Sequence, residues 1–220
     1  MLQVYKDSKQ FYILSVLFFL IGSVILINTT KGDVEIWVNQ FHGPTLNIFF
    51  YYITYLGDGL FSFVVVGILF FRKIYWGILS AVSLLSTSMV TQFLKRNVFE
   101  DFPRPSRFFD PELFKLNYVD GLEMHGYFSF PSGHSSGAFS ILIIISLINK
   151  KPVIQIACFF TAITTAFSRV YLLQHFFMDI YAGALLGITV TSVVYFIINY
   201  RTSLPQNSRL QQPLIGARVL

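Results

Sequence analysis

Six apolar stretches limit most strongly what this chain can fold into. They run at about residues 11–28, 53–71, 75–93, 134–149, 153–171 and 176–199, and each is long enough to cross a bilayer, or nearly so. Inside a bilayer every backbone N–H and C=O group needs a partner within the protein, and an α-helix supplies one for each. The pattern therefore predicts an all-α, polytopic membrane protein with about six transmembrane helices.

The composition supports a membrane protein. Of the 220 residues, 54% are hydrophobic and only 12% are charged, which excludes a soluble domain of this size. The net charge of +5 does not indicate a nucleic-acid partner, because the basic residues are scattered between apolar runs. The single cysteine, Cys158, lies within such a run, so it can form no internal disulfide and we expect it to pack.

The segments around the apolar stretches predict the domain organisation. No small-residue cleavage pattern follows the first stretch, so we interpret it as an uncleaved span. Residues 33–52 carry Trp37, His42, Pro44 and many other aromatic residues, which predicts an interfacial helix between the first two spans. The Gly57-Asp58-Gly59 turn would mark the outer end of the second span. We expect one domain over residues 1–200 and a short, polar, mobile tail over 201–220.

The charges between the spans predict the orientation. One side holds nine basic residues and one acid, and the other holds seven basic residues and ten acids. By the positive-inside rule the first side, with both termini, is cytoplasmic. The loop over residues 93–130 then faces outward, and the short loops favour a bacterial inner membrane.

Three clusters of polar residues lie at the predicted outer ends of the spans. The first follows the third span and includes Lys95, Arg96 and Arg104, which suit a phosphate because a guanidinium binds two oxygens and an ammonium adds a point charge. Basic residues beside a span also commonly anchor a helix at the headgroups. This cluster alone therefore leaves both readings open.

The second cluster, residues 128–137, leads into the fourth span. Pro131, Ser132 and Gly133 are typical of a helix start with free backbone N–H groups, which attracts anions. His134 follows directly. Beside an anion site, this histidine can act as the acid that protonates a leaving alcohol.

The third cluster combines Arg169, His175 and Asp179 at the edge of an apolar run, where ionisable residues are costly unless they pair or take part in chemistry. If the chain is helical from about Gln174, His175 and Asp179 share one face, and the carboxylate can hold the imidazole in one tautomer. Such a histidine is a candidate base or nucleophile. A purely structural pair that braces two helices is the alternative.

Together the clusters predict phosphoryl chemistry. A phosphate bound by Lys95, Arg104, Arg169 and the amides at the start of the fourth span would face one histidine able to attack and another able to donate a proton. The carboxylates are too few and too dispersed to hold a pair of magnesium or zinc ions, so we expect no metal and no cofactor.

These motifs resemble the type 2 phosphatidic acid phosphatase family, whose members share a helical core with vanadium-dependent haloperoxidases. The family pattern is a Lys with a downstream Arg-Pro, then Pro-Ser-Gly-His, then Ser-Arg, five residues, His, three residues, Asp. Residues 131–134 match the second part, and Ser168, Arg169, His175 and Asp179 match the third at the family spacing. Matches at this many fixed positions rarely arise by chance.

The resemblance implies a role for each matched residue. His175 would attack phosphorus and form a phosphohistidine, with Asp179 orienting it. His134 would protonate the leaving oxygen and afterwards activate water. The phosphoryl oxygens would be bound by Lys95, Arg104, Ser132, Gly133 and Arg169.

The lysine part of the pattern departs from the family. Eight residues separate Lys95 from Arg104, where family members commonly have six. A loop can absorb two extra residues at small entropic cost. Whether Lys95 or Arg96 contacts phosphate is left open by the spacing.

The leading hypothesis is therefore a metal-independent lipid phosphatase acting at the outer leaflet. Candidate substrates are phosphatidic acid, phosphatidylglycerol phosphate, undecaprenyl diphosphate and lipid A phosphates. The alternatives are a transport or binding protein for an anionic lipid, and a haloperoxidase-like oxidative enzyme. A transporter would favour internal symmetry, which the sequence lacks. The oligomeric state does not follow from the sequence.

Overall fold

The computed structural model describes residues 1–215, and this part of the chain is helical, with no β-strand. Its α-helices are α1 (Leu2–Asp7), α2 (Lys9–Asn28), α3 (Asp33–Asn39), α4 (Pro44–Ile53), α5 (Gly59–Arg72), α6 (Ile74–Phe93), α7 (Pro105–Phe108), α8 (Gly133–Asn149), α9 (Pro152–Tyr171) and α10 (Phe177–Arg201). A 3-10 turn (Thr54–Gly57) precedes α5, and a π-turn (Leu94–Val98) extends α6. The predicted all-α class is confirmed. Residues 216–220, the end of the predicted tail, lie outside the described residues.

Each of the six predicted spans corresponds to a long helix, but six bilayer crossings are not confirmed. Among residues 1–215, four helices are long and apolar enough to span a membrane: α2, α6 with its π-turn, α9 and α10. A fifth is obtained if α4 and α5, which meet at a bend of 54°, count as one broken span. The helix at the fourth predicted span, α8, has only 17 residues.

The region predicted as one interfacial helix forms two helices, α3 and α4. The break falls at Gly43, whose backbone is extended, and Pro44 begins the next helix. The helical conformation is disfavoured for a residue before proline, and the proline ring is well placed in a first helical turn. The second predicted span also begins later than expected, since Asp58 directly precedes α5.

The short helix α8 is the centre of the bundle. Eleven of its residues are buried, and it packs against α6, α9 and α10. Its hydroxyl groups find partners on two neighbours: Thr87 of α6 donates to Ser140 at 3.3 Å, and Ser140 pairs with Thr191 of α10 at 2.8 Å. In an apolar bundle such bonds give close helix packing a specific register.

Two glycines bring α10 against α8 almost backbone to backbone. A Cβ atom on Gly183 would lie 2.6 Å from the Ser132 carbonyl oxygen, and one on Gly187 would lie 2.5 Å from that of Ser136. Only glycine leaves room for this contact. The contact places the start of α8 beside the start of α10, and the Ser132 amide donates to the Asp179 carbonyl at 3.0 Å.

The opposite end of the bundle gathers the N-terminus, the α8–α9 turn and the end of α10. Asp7 is buried there and lies 2.9 Å from Lys150 Nζ, and it accepts a hydrogen bond from Tyr195 at 3.0 Å. The tail was expected to be mobile, yet part of it docks, since the amide of Tyr75 at the start of α6 donates to the Leu210 carbonyl at 2.8 Å. These first amides of a helix lack partners within the helix, which explains why they bind the tail.

Candidate active site

The histidine–carboxylate pair of the third cluster forms at the start of α10. His175 Nδ1 lies 3.2 Å from Asp179 Oδ2, and both side chains are only 1% exposed. The chain is not yet helical at Gln174, since α10 begins at Phe177, within one residue of the start predicted for the last apolar stretch. The contact still forms because Asp179, in the first turn, reaches back to the Phe176 amide at 2.9 Å and to the imidazole beside it.

Asp179 is held by a third donor from outside its helix. The Ser129 hydroxyl, fully buried in the loop between α7 and α8, donates to the same oxygen, Oδ2. Three donors fix the carboxylate, and the carboxylate fixes the ring through Nδ1. The other ring nitrogen of His175, Nε2, is therefore the one available to the cleft that His175 lines.

Glu35 supports this geometry from α3. Its Oε1 atom accepts a hydrogen bond of 2.7 Å from the Phe177 amide, at the first residue of α10, and the side chain is 2% exposed. Burial raises the pKa of Glu35 to about 7, although the bond from Phe177 opposes the shift. The sequence interpretation missed this residue because its partner lies far along the chain.

The pKa of Glu35 predicts a pH-dependent stability. Since its folded-state pKa lies above the ordinary value of 4.5, the stabilisation is fully present below pH 4.5 and is lost as the pH rises through about 7. We expect the Tm in detergent to fall between pH 5 and 8. Glu35→Gln keeps an acceptor oxygen but cannot ionise, so its Tm should change less with pH. The pH-dependent loss in the free energy of unfolding that the substitution removes is on the order of 1–3 kcal/mol at pH 8.

The matched control for this prediction is Glu112→Gln, because Glu112 is an exposed residue of the loop between α7 and α8. That variant should follow the wild-type curve. Parallel melting curves for wild type and Glu35→Gln across the pH range would contradict the assignment of the pH dependence to Glu35.

Two arginines project into the same cleft and are oriented by Gln174. Arg104 donates to the Gln174 carbonyl at 3.2 Å and to the Tyr127 carbonyl at 3.0 Å. Arg169 donates to the Gln174 side chain at 3.3 Å and to Thr54 at 2.8 Å. Both guanidinium groups are nearly buried, and each retains N–H groups that can bind an anion.

Lys95, rather than Arg96, lines the cleft. Lys95 is 8% exposed, whereas Arg96 lies on the exposed side of the helix. The π-turn that contains both residues closes with a bond from the Phe99 amide to the Leu94 carbonyl. A π-turn inserts one extra residue into a helical turn, so part of the longer spacing to Arg104 is taken up inside the helix.

The start of α8 also borders the cleft, through Gly133 and His134. Ser132 is buried and caps the helix, its hydroxyl accepting from the Ser135 amide at 3.4 Å. Because the Ser132 amide already donates to Asp179, the amides that the helix end offers to an anion are those of Gly133 and His134.

The cleft encloses about 600 Å³ and brings together the chemically active residues of all three clusters. Of the residues singled out in the sequence, Lys95, Arg104, Gly133, His134, Arg169 and His175 line it. Asp179 and Ser132 do not line the cleft: Asp179 contacts His175, and Ser132 directly precedes Gly133. The arrangement is an anion site with a buried imidazole facing three cations.

The polar residues of the site that were not assigned from the sequence include Thr54, Asp58, Ser129 and Gln174. Thr54, Asp58 and Ser129 contact Arg169, His134 and Asp179, which are distant in the sequence, so no local spacing could have indicated them. Gln174 lies inside the third motif, five residues after its partner Arg169, and its position there was the one local signal.

The surroundings of His175 predict that its imidazole stays neutral in mild acid. Burial, followed by the positive charges of Arg104 and Lys95, holds the pKa of His175 well below its usual value of 6.5. Titration of the His175 ring in detergent, followed by NMR, should show a midpoint below pH 6.5. A midpoint at or above that value would contradict this electrostatic account.

The fold and the cleft define a polytopic membrane protein with a cleft lined by lysine, arginine and histidine side chains at one end of its helical bundle. A sequence profile of the PAP2 superfamily matches residues 76–203, more than half of the chain. The chain therefore belongs to the PAP2 superfamily, and the resemblance drawn from the three motifs is confirmed.

Similar proteins agree with this assignment. The lipid A 4'-phosphatase of Bacteroides thetaiotaomicron is 31% identical over 100 residues, which cover 46% of this chain and 44% of that protein. The match thus spans less than half the length of that relative. The crystal structure of LpxE from Aquifex aeolicus has a TM-score of 0.66 at 24% identity and covers 77% of this chain and 98% of that one.

A second crystal structure, that of a transmembrane PAP2 type phosphatidylglycerolphosphate phosphatase from Bacillus subtilis, is also similar. Its TM-score is 0.55 at 25% identity, and the match covers 87% of this chain and 94% of that one. The likeness thus extends over most of both chains, which supports a polytopic membrane fold.

Proposed function

We propose that this protein is an integral membrane lipid phosphatase that cleaves a phosphate ester through a phosphohistidine intermediate. One observation carries the proposal: His175, held through Nδ1 by Asp179, lines a cleft that it shares with Lys95, Arg104 and Arg169. Membership of the PAP2 superfamily and similarity to two lipid phosphatases support it.

The first step transfers the phosphoryl group to the enzyme. His175 Nε2 attacks phosphorus and forms an N–P bond while the P–O bond to the lipid alcohol breaks. His134 gives its proton to the leaving oxygen. Negative charge on the phosphoryl oxygens is stabilised by Lys95, Arg104, Arg169 and the free amides at the start of α8.

The second step releases inorganic phosphate. His134, now neutral, takes a proton from a water molecule as the water oxygen attacks phosphorus and the N–P bond breaks. His175 regains its neutral form. Three cations neutralise the phosphate within the cleft, so the proposed reaction needs no metal ion and no cofactor.

The proposed substrate is a phosphorylated lipid in the bilayer. The relatives are a lipid A phosphatase and a phosphatidylglycerolphosphate phosphatase, so lipid A phosphates and phosphatidylglycerol phosphate stand beside phosphatidic acid and undecaprenyl diphosphate as candidates. We further infer that residues 1–200 form one phosphatase domain with a cytoplasmic tail over 201–220. The excess of basic residues at the opposite end of the bundle supports a cleft that faces outward from a bacterial inner membrane.

The test is phosphate release by the purified protein in detergent and EDTA, with the four candidate lipids as separate substrates. We expect release from at least one of them and a labelled phosphohistidine when a radioactive substrate is quenched during turnover. Activity that disappears in EDTA and returns with a divalent ion would overturn metal independence. Binding of a lipid phosphate with neither release nor a trapped intermediate would favour a transport or binding protein.

A further inference from the structure

The carboxylate of Asp58, the residue before α5, contacts the proposed acid–base histidine, His134. Asp58 Oδ1 lies 2.9 Å from His134 Nε2, within ion-pair distance, and the two side chains are 39% and 28% exposed. Both residues line the cleft. Asp58 belongs to the Gly57-Asp58-Gly59 turn, which the sequence interpretation treated only as the end of a span.

The backbone around Asp58 is shaped for this contact. A Cβ atom on Gly57 would lie 3.0 Å from His134 Cβ and 3.1 Å from the His134 carbonyl oxygen, which is tighter than ordinary packing. Glycine at position 57 therefore lets the turn approach the start of α8. The approach places the carboxylate of the next residue against the imidazole.

Asp58 also gives up the interaction that its position normally favours. It is the N-cap residue of α5, where an aspartate usually accepts hydrogen bonds from the first amides of the helix. Among residues 1–215 its side chain makes no such bond and faces His134 instead. The contact with the histidine thus replaces a cap, which argues against an incidental surface pair.

The other charges that face His134 oppose its protonated form. Arg169 of α9 and Arg104 of the outer loop are both close enough to disfavour an imidazolium, and His175 faces it across the cleft. The carboxylate of Asp179 is held on the side of His175, where its Oδ2 accepts from Ser129, Phe176 and His175, whereas the ion pair of His134 is with Asp58. Asp58 is therefore the carboxylate that can offset the arginines at His134.

We propose that Asp58 is a positioning residue for His134, an inference that rests on the proposed function. It holds the ring through Nε2 and stabilises the imidazolium that the first step requires. The proton that reaches the leaving oxygen then comes from Nδ1, the nitrogen that does not face Asp58. In the second step Nδ1 takes a proton from the attacking water, and Asp58 stabilises the charge again.

The experiment compares wild type with Asp58→Asn and Asp58→Ser in the phosphate-release assay. Serine caps a helix well but has no charge, so it retains the capping ability of aspartate without the ion pair. For both variants we expect kcat to fall by about 10- to 100-fold, which is less than the roughly 10²- to 10⁴-fold contribution of an acid–base group itself, because His134 remains in place. KM should not rise, because the change removes a negative charge beside an anionic substrate.

The pH dependence of kcat distinguishes the two roles of Asp58, because a purely structural role would leave it unchanged. Without the carboxylate, the imidazolium is lost at lower pH, so the basic limb of kcat should shift to lower pH in both variants. Asp58→Glu, which keeps the charge, should recover part of the rate and the wild-type limb. Asp110→Asn is the matched control, since Asp110 is exposed in the outer loop and should leave rate and profile unchanged.

Two outcomes would overturn the positioning role while the proposed function stands. The first is wild-type kcat and an unshifted basic limb in Asp58→Asn. The second is full activity in Asp58→Ser, which would make Asp58 a helix cap. A wild-type protein that releases no phosphate from any of the four lipids would instead contradict the proposed function itself, and the role of Asp58 with it.

Discussion

Replacing His175 with alanine is expected to lower phosphate release by about 10⁴-fold or more, the usual size of the loss when a catalytic nucleophile is removed. Among residues 1–215, His175 is the one side chain with a buried imidazole that is held through Nδ1 and shares a cleft with three cationic side chains. Water would have to attack phosphorus directly in the variant. The trapped phosphohistidine should therefore disappear together with the activity.

The informative measurement is a single-turnover assay in detergent with a radioactive lipid phosphate. His125→Ala is the matched control, because His125 is an exposed histidine at the rim of the same cleft. We expect that control to fold normally, since surface substitutions usually change stability by less than about 0.5 kcal/mol, and to keep an activity close to that of wild type. Residual activity of the His175 variant near the wild-type level would refute the nucleophilic role.

Asp179→Asn is expected to cause the second largest loss, about 10³- to 10⁴-fold in kcat, as in other enzymes where a carboxylate orients a catalytic histidine. Asp179 Oδ2 accepts from His175 Nδ1, the Phe176 amide and the Ser129 hydroxyl. An asparagine carries no charge, and its NH₂ group can turn toward the ring. The imidazole would then hold its proton on Nε2, the nitrogen that must attack.

Ser129→Ala separates the orienting role from packing. It removes one of the three donors and leaves the carboxylate in place, so we expect a loss of about tenfold, consistent with the value of one hydrogen bond to a charged group. Substrate KM should change little in either variant, since neither residue lines the cleft. A loss in Asp179→Asn no greater than that in Ser129→Ala would show that the charge of Asp179 is not needed.

The fold class could be predicted, as could most of the residues that line the cleft, because their signals are local. Apolar runs of span length identify helices, and the spacing from Arg169 to Asp179 keeps three ionisable groups within a dozen residues. Some helix limits were less accurate. Pro44 split the interfacial region into two helices, and the second span began only at Gly59, because backbone preferences at single residues decide where a helix begins.

The supporting contacts could not be predicted. Glu35 meets Phe177 from 142 positions away, and the Gln174 side chain joins Arg169 to the Glu123 carbonyl 51 positions earlier. The first contact depends on where α3 lies against α10, and the second on where the loop before α8 folds over the site. No periodicity in one sequence records either arrangement.

The glycine contact between α8 and α10 has a consequence for how specificity can change. Because the two helices meet main chain to main chain, the backbone fixes how far His134 on α8 lies from Asp179 on α10, and side-chain substitutions elsewhere leave that distance unchanged. If the protein acts as proposed, its choice of substrate has to be set in another part of the cleft. Gly121, Leu122 and Glu123 line the cleft from the loop before α8. The Glu123 main chain is bonded to Gln174, so we expect substrate choice to change through side-chain substitutions in this loop and not through replacement of the loop.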